Sequence, residues 1–563
     1  MGNRMHTRFP SGEVDIGGIP LGQAHPVRVQ SMTNTSTTDV KATVDQCLRG
    51  FDAGADYMRI SVPDSASMES LKRIRLGLNH CGCKKPLIAD IHFRAELAIE
   101  AAKIVEKVRI NPGNYTPMKP GKAAWTRACG QEELEIVRSR LAPLVRICRE
   151  HGTAIRVGTN SGSLSPRIIN WFGNTPRALV ESTMEYLRLF QDLGFGNLVV
   201  SLKTSNPLTM IDSYHLMAGS MLEEDLSFPL HTGVTEAGAG ESGRMKSALG
   251  IIPLLQAGIG DTIRVSLTGN PEEEIAFAKK IVAGFSAAFS TASSGTPDHK
   301  KPKTDEGSVS GQGSDPLHQA PPPPLPGNHR AIVVTSDPSR SPDSTKGFRI
   351  IELNSTDGIA EATCPAPEDR TLLVANLDRG FPEDRLHRLC NQIQAEGINA
   401  GVVAKTSING TDEDNQTIDL CSRFGSLLLQ RKLHGLWISN SGPDQQESLS
   451  VMALRLLQAA GLRVSDTEFI ACPTCARTSY DLEKVFNMVK EKTGGKPGLK
   501  IAVMGCVVNG PGEMAGADFG ILGASNGSLQ VFRGDKAVYK NLGTEEAVDK
   551  LLELIRESAP RSL

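Results

Sequence analysis

The chain has 563 residues, too many for one hydrophobic core and sized for about three or four domains. Its 61 Lys plus Arg balance 63 Asp plus Glu, a formal net charge of −2, so nothing draws it globally to nucleic acid or an anionic membrane and any anion site must be local. Eleven cysteines over this length are no disulfide framework; only Cys81/Cys83 and Cys472/Cys475 lie close together, which suits a reducing cytosol.

In chain order, Met1-Gly-Asn-Arg-Met-His6 holds no apolar signal core, and His6 stands where N-myristoylation needs Ser or Thr. No run of about 18 apolar residues follows, and the expectation is a cytoplasmic protein with no membrane or nucleic-acid partner. Short β-rich runs then recur: Val27–Ser31, Tyr57–Ser61, Pro86–Asp90, Lys107–Asn111, Ala154–Gly158, Leu198–Lys203, Phe228–Thr232 and Thr262–Ser266. Helical patterns such as Asp39–Ala53, Met68–Leu78 and Pro176–Leu193 lie between them. Eight strands alternating with helices predict a (β/α)8 TIM-like barrel over residues 1–290.

Arg59, Arg109, Arg156, Lys203 and Arg264 fall in or at the ends of five of these strands, where such barrels build active sites. Asp90 is the one carboxylate at an equivalent strand position. Five converging cations call for an anion, and a diphosphate suits guanidinium forks and a lysine point charge. Asn111, Asn160 and Ser266 add neutral hydrogen-bonding groups. Asp90, His92, His231 and Glu236 are the proton-transfer candidates, Glu236 lying in a Gly-rich loop just past a strand. Arg28, early in its strand, is expected to point outward into a salt bridge, and Cys81/Cys83 to lie at the opposite end from the mouth.

Residues 291–329 are too rich in Ser, Gly and charge, and end too near Pro321-Pro-Pro-Pro-Leu-Pro326, to pack; they read as a linker. A second α/β pattern over 330–463 has candidate strands at Ala331–Thr335, Phe348–Leu353, Thr371–Ala375, Ala400–Ala404 and Gly435–Ser439. Helices are expected near Glu383–Glu396 and Gln446–Ala460. It shows no cluster of titratable residues at strand ends and reads as a structural insert.

Residues 464–563 form a small α/β domain: a helix at Tyr480–Lys492, strands at Lys500–Met504, Phe519–Leu522 and Leu529–Phe532, and a helix after Thr544 with Val548, Leu551, Leu552 and Ile555 on its apolar face. It carries Cys472-Pro-Thr-Cys475 and Gly505-Cys506-Val-Val-Asn-Gly-Pro-Gly-Glu513. A dithiol pair would leave Cys506 without a role, and structural zinc would need a fourth N or S ligand, yet no histidine follows Cys472. An iron–sulfur cluster uses all three thiols and leaves one iron for a non-thiolate ligand, for which Glu513 is the nearby oxygen candidate. An exchangeable ligand suits substrate reduction; four thiolates suit plain electron transfer.

Val29-Gln-Ser-Met-Thr-Asn-Thr35, Ala89-Asp-Ile-His-Phe93, Val108-Arg-Ile-Asn-Pro-Gly-Asn114, Arg156-Val-Gly-Thr-Asn-Ser-Gly-Ser-Leu164, Ser201-Leu-Lys-Thr-Ser205, His231–Glu236 and both cysteine motifs together resemble the 4-hydroxy-3-methylbut-2-enyl diphosphate synthases of isoprenoid biosynthesis. The resemblance spans about residues 25–270 and 464–560 and matches the long, insert-bearing form. It implies a [4Fe-4S] cluster on Cys472, Cys475, Cys506 and Glu513. The substrate implied is 2-C-methyl-D-erythritol 2,4-cyclodiphosphate, with reduced flavodoxin or ferredoxin as electron donor. By the same resemblance Arg59, Arg109, Asn111, Arg156, Asn160, Lys203, His231, Arg264 and Ser266 hold the substrate, Glu236 is the acid/base, and Asn509 reaches the substrate from the cysteine loop. Short members work as homodimers, one subunit's cluster domain covering the other's barrel; in the long form the insert is expected to carry the domain back over its own barrel. Ala476 departs from the usual glycine. A pterin-diphosphate barrel transferase with a zinc tail, or a non-catalytic cluster carrier or redox sensor, accounts for only one of the two regions.

Overall fold

The structure is a computed structural model that describes residues 8–91, 94–115, 127–290, 331–335, 349–353, 371–379, 381–396, 400–408, 410, 412–439, 446–508, 510–524 and 527–558. The linker expected at 291–329 lies outside the described residues. The chain forms two compact units: His6–Ala283 together with Val464–Leu563, and Gly284–Arg463.

The first unit is built on an eight-stranded parallel barrel. Strands β3 (Arg28–Met32), β4 (Tyr57–Ser61), β5 (Leu87–Asp90), β6 (Lys107–Ile110), β7 (Ala154–Asn160), β8 (Leu198–Lys203), β9 (His231–Thr232) and β10 (Thr262–Ile263) run in the order β8-β7-β6-β5-β4-β3-β10-β9. A bridge between Val200 and Leu230 joins the two ends of that order. Local chemistry starts the helices: Asp39 caps Val40–Asp52 by accepting from the Ala42 amide at 3.0 Å, and Thr175 with Pro176 opens Pro176–Asp192.

Strands β9 and β10 are shorter than the sequence predicts. Pro229 has no amide to donate. After Ile263, Arg264 still donates to the Thr232 carbonyl (3.0 Å), but the Leu267 amide is taken by Glu274 (2.9 Å). The N-terminal hairpin β1 (Val14–Ile16) and β2 (Ile19–Leu21) was not expected. It packs Val14, Ile16 and Leu21 against Tyr57, Ile88, Ala154 and Val199, near the starts of their strands, and so plugs the barrel's lower end. Arg28, as expected, faces a salt-bridge partner, Asp56, at 3.7 Å.

Within the same unit, the C-terminal domain is a five-stranded sheet in the order β16 (Glu468–Ala471), β17 (Lys500–Met504), β18 (Phe519–Gly523), β19 (Leu529–Arg533), β20 (Lys536–Leu542). The first three strands are parallel and the last two pair antiparallel. Helices Leu482–Thr493 and Thr544–Ser558 cover one face, burying Val485, Phe486, Val548, Leu551 and Ile555 on Ile501, Val503 and Ile521. Residues 468–471 and 536–542 carry no clean period-two pattern, and the sequence reading passed over both strands.

The second unit holds five parallel strands in the order β11 (Ile332–Thr335), β15 (Gly435–Ser439), β14 (Ala400–Ser407), β13 (Thr371–Asn376), β12 (Arg349–Leu353). Helices Glu383–Ala395 and Gln446–Ala459 match expectation; Glu413–Leu429 was missed. Its strand ends do carry charge, but the groups satisfy one another: Ser407 donates to Asp378 at 2.7 Å and Lys405 to Glu352 at 3.2 Å.

Candidate active site

The barrel register places the polar side chains. Arg109 stands beside Asp90 on one neighbour strand and Arg156 on the other, and Asn160 stands beside Lys203. These residues, with Arg59, Glu236, Arg264 and Ser266, line a cavity of about 780 Å³, counting space open to solvent. The other wall comes from the C-terminal domain of the same chain and includes Cys472, Cys475, Cys506 and Arg477.

The two walls are joined at several points. Ala237 bridges to Ala471 in parallel, Gly238 N donates to the Ala471 carbonyl (3.3 Å) and Thr268 Oγ1 to the Cys472 carbonyl (3.1 Å). Arg477 Nη2 lies 3.5 Å from Asp90 Oδ2, and Gly162 N donates to Glu513 Oε1 at 3.3 Å.

Among the described residues, carboxylates reach two of the five expected cations. Arg109 pairs with Asp90 at 3.1 Å, and Arg264 with Glu274 at 3.3 Å. The contacts of the other three are neutral: Arg59 donates to Met32 Sδ, Arg156 to Ser201 Oγ at 3.0 Å, and Lys203 to the Gly233 carbonyl at 3.0 Å. Burial pushes the Arg59 guanidinium down to about 9, against the pull of Asp90. Burial and then the neighbouring cations push Arg156 and Lys203 well below their ordinary values. The mouth therefore holds more buried positive charge than its own carboxylates neutralise.

Glu236 lines the cavity on a strained backbone, φ +50°, and burial raises its pKa. Glu513 does not line the cavity. Its carboxyl is buried against the Gly162 amide and hydrogen-bonded to Glu236; burial, then the Glu236 charge, pushes it well up. The two glutamates, expected to work apart, form a carboxyl pair in which like charge disfavours double ionisation.

Two other expected substrate contacts lie outside the cavity wall. Asn111 is buried and donates to Ser163 Oγ at 2.8 Å. His231 is fully buried, with neither ring nitrogen hydrogen-bonded, and burial followed by Lys203 and Arg156 pushes its pKa well down. His92 and Asn509 lie outside the described residues.

The three thiols share one wall. Burial, then Cys475 and Cys506, pushes the Cys472 thiol well up, while the Gly505 amide donates to its sulfur at 3.2 Å. Among the described residues, no three His, Cys, Asp or Glu side chains converge on the position of a single metal ion.

The sequence reading missed Arg477, Lys107, Lys246 and Glu274. Arg477 could have been noticed as the one arginine in the cysteine loop. Lys107, two residues before Arg109 and so on the same inward face, lies 4.6 Å from the centre of the Tyr57 ring.

A parallel barrel with a cationic mouth, covered by a thiol-bearing domain of the same chain, defines the class: a TIM-barrel protein whose cavity joins buried cations to three thiols. Residues 11–279 match the GcpE TIM-barrel domain and residues 468–557 the GcpE protein C-terminal domain. The chain is 37% identical to the 4-hydroxy-3-methylbut-2-en-1-yl diphosphate synthase (flavodoxin) of Phocaeicola vulgatus, over 98% of each chain. It is 33% identical to the chloroplastic 4-hydroxy-3-methylbut-2-en-1-yl diphosphate synthase (ferredoxin) of Oryza sativa subsp. japonica, over 97% of this chain and 86% of that one. The chain belongs to the 4-hydroxy-3-methylbut-2-en-1-yl diphosphate synthase family and is an iron–sulfur oxidoreductase of isoprenoid biosynthesis. No helix among the described residues is long and apolar enough to cross a membrane.

Proposed function

We propose that the chain converts 2-C-methyl-D-erythritol 2,4-cyclodiphosphate to 4-hydroxy-3-methylbut-2-enyl diphosphate, consuming two electrons and two protons and releasing water. The observation that carries this reading is the single cavity lined on one side by Arg59, Arg109, Arg156, Lys203 and Arg264 and on the other by Cys472, Cys475 and Cys506. Relatives named for flavodoxin and for ferredoxin support one of these small carriers as the electron donor.

The donor set fits an iron–sulfur cluster. Three half-buried thiols stand in one wall, and a cluster takes such thiols one to an iron. Cys472, Cys475 and Cys506 would hold a [4Fe-4S] cluster, with Glu513 for the remaining iron after it parts from Glu236. When bound, the cluster supplies the electrons and an iron open to a substrate oxygen.

The chain's own residues do the rest. Arg59, Arg156 and Lys203, left short of carboxylates, take the diphosphate oxygens together with Arg109 and Arg264, and the bound anion offsets their mutual repulsion. Asn160 and Ser266 supply neutral hydrogen bonds along the same wall. Asp90 orients Arg109. Glu236, whose pKa burial raises, stands in the cavity wall to pass a proton to the departing hydroxyl. The test is anaerobic purification with iron and sulfide analysis, followed by turnover of the cyclodiphosphate with a chemical reductant. Close to four irons per chain and formation of the product are expected; stoichiometric zinc without sulfide would overturn the reading.

A further inference from the structure

Among the described residues that the C-terminal domain contributes to the cavity wall, Arg477 is the only charged one. Its place is set from both sides. Nη2 lies 3.5 Å from Asp90 Oδ2 on the barrel, and that same carboxylate is 3.1 Å from Arg109. On its own domain the guanidinium lies beside the Cys475 thiol, two residues back in the chain, and Cys506. The side chain is 13% exposed, yet Nε and Nη1 are buried without a hydrogen-bond partner. Leaving two charged donors unsatisfied in a buried site is costly, and such donors are held for an acceptor that arrives. The facing wall carries Arg59, Arg156 and Lys203, which have no carboxylate partner among the described residues.

We propose that Arg477 is a further anion-binding residue of this site, carried by the cysteine-bearing domain and aimed by Asp90, so that binding the diphosphate and seating that domain over the barrel are one event. The inference rests on the diphosphate reading of the barrel mouth. A planar fork suits the geometry: Nη2 reaches the Asp90 carboxylate while the guanidinium lines the cavity and also hydrogen-bonds Cys475, an arrangement a lysine cannot reproduce. Asp90 then acts as a positioning residue, holding Arg109 from the barrel and Arg477 from the opposite wall on one carboxyl group.

The experiment uses the anaerobic holoprotein and inorganic diphosphate, with affinity read by calorimetry and seating by hydrogen–deuterium exchange over residues 467–478. In the wild type, diphosphate should bind and slow exchange in that segment. Arg477→Gln should weaken binding about tenfold or more, the scale of losing a charged hydrogen bond, and should abolish the protection of 467–478. Arg156→Ala is the control for the parent reading: if it binds diphosphate like the wild type, the barrel-mouth assignment itself fails. If Arg156→Ala binds weakly while Arg477→Gln binds and protects normally, only the Arg477 inference is overturned. Should the Gln variant lose iron, Arg477→Lys keeps a positive charge beside the thiols and carries the same test. A weakening of about fivefold with reduced protection is then expected, and wild-type behaviour would equally overturn the proposal.

Discussion

Arg156 is 1% exposed, repelled by Arg59 and Arg109, and hydrogen-bonded to a serine rather than a carboxylate. A residue so placed costs stability in the empty site and returns it on binding. Arg156→Ala or Lys203→Ala should therefore weaken diphosphate binding by about 1.5–3 kcal/mol each, measured by calorimetry. Arg156→Met, which removes the buried charge but keeps much of its volume, should leave the ligand-free melting temperature unchanged or higher. A markedly lower melting temperature would assign Arg156 to the fold rather than to the ligand. The glutamate pair separates in the same way. Glu236→Gln still offers a hydrogen bond to Glu513, so the resting cluster spectrum should be unchanged while turnover falls about a hundredfold. Glu513→Ala should alter that spectrum even without substrate; an unperturbed spectrum would remove Glu513 from the ligand set.

Among the elements, the seam between the barrel and the C-terminal sheet is made partly by glycine. A Cβ on Gly512 would sit 2.1 Å from the Gly162 carbonyl oxygen, and one on Gly162 would sit 2.8–3.0 Å from Glu513. Backbone there cannot give way cheaply, so Gly512→Ala should hold the cysteine loop off the barrel. Activity should be lost while iron content and the melting transition stay near wild type, since each domain keeps its own core. In the insert, His434 Nδ1 accepts from the Val402 amide at 3.1 Å and the His434 amide donates back to the Val402 carbonyl at 2.8 Å. Burial lowers the His434 pKa from 6.5 to about 4. The folded form therefore binds fewer protons than the unfolded one, and stability present above about pH 6.5 is lost as pH falls toward 4. Urea unfolding of the full chain in a Trp125→Phe, Trp171→Phe background, where fluorescence reports Trp437, should show the parent losing stability over that window relative to His434→Gln. Parallel pH profiles for the two would refute the assignment.

At the scale of the molecule, one chain supplies both walls of the site. Two inactive variants, one damaged in each wall, should then fail to rescue each other. Co-expressed Arg156→Ala and Cys506→Ser chains should show no activity beyond the sum of the separate proteins, whereas a cavity shared between subunits would recover a sizeable fraction. Specific activity should also stay constant on dilution.

Residue identity and spacing alone were enough to reveal the eight barrel strands, because parallel strands buried on both faces read as apolar runs and their inward charges recur at the ends. The cysteine spacing likewise revealed the thiol trio, since ligand chemistry is written in residue type. The end of β10 was not legible, for the chain past Ile263 turns to a side-chain acceptor, Glu274, which captures the Leu267 amide from a helix beyond the strand. Nor could local pattern show that Glu513 lies on Glu236, or that Arg477 reaches Asp90 across 387 positions of chain. Those pairings are set where two separately folded surfaces meet, and a contact of that kind has no period along the sequence. Composition and order made the barrel and the thiol-bearing domain; the tertiary packing of one against the other made the site.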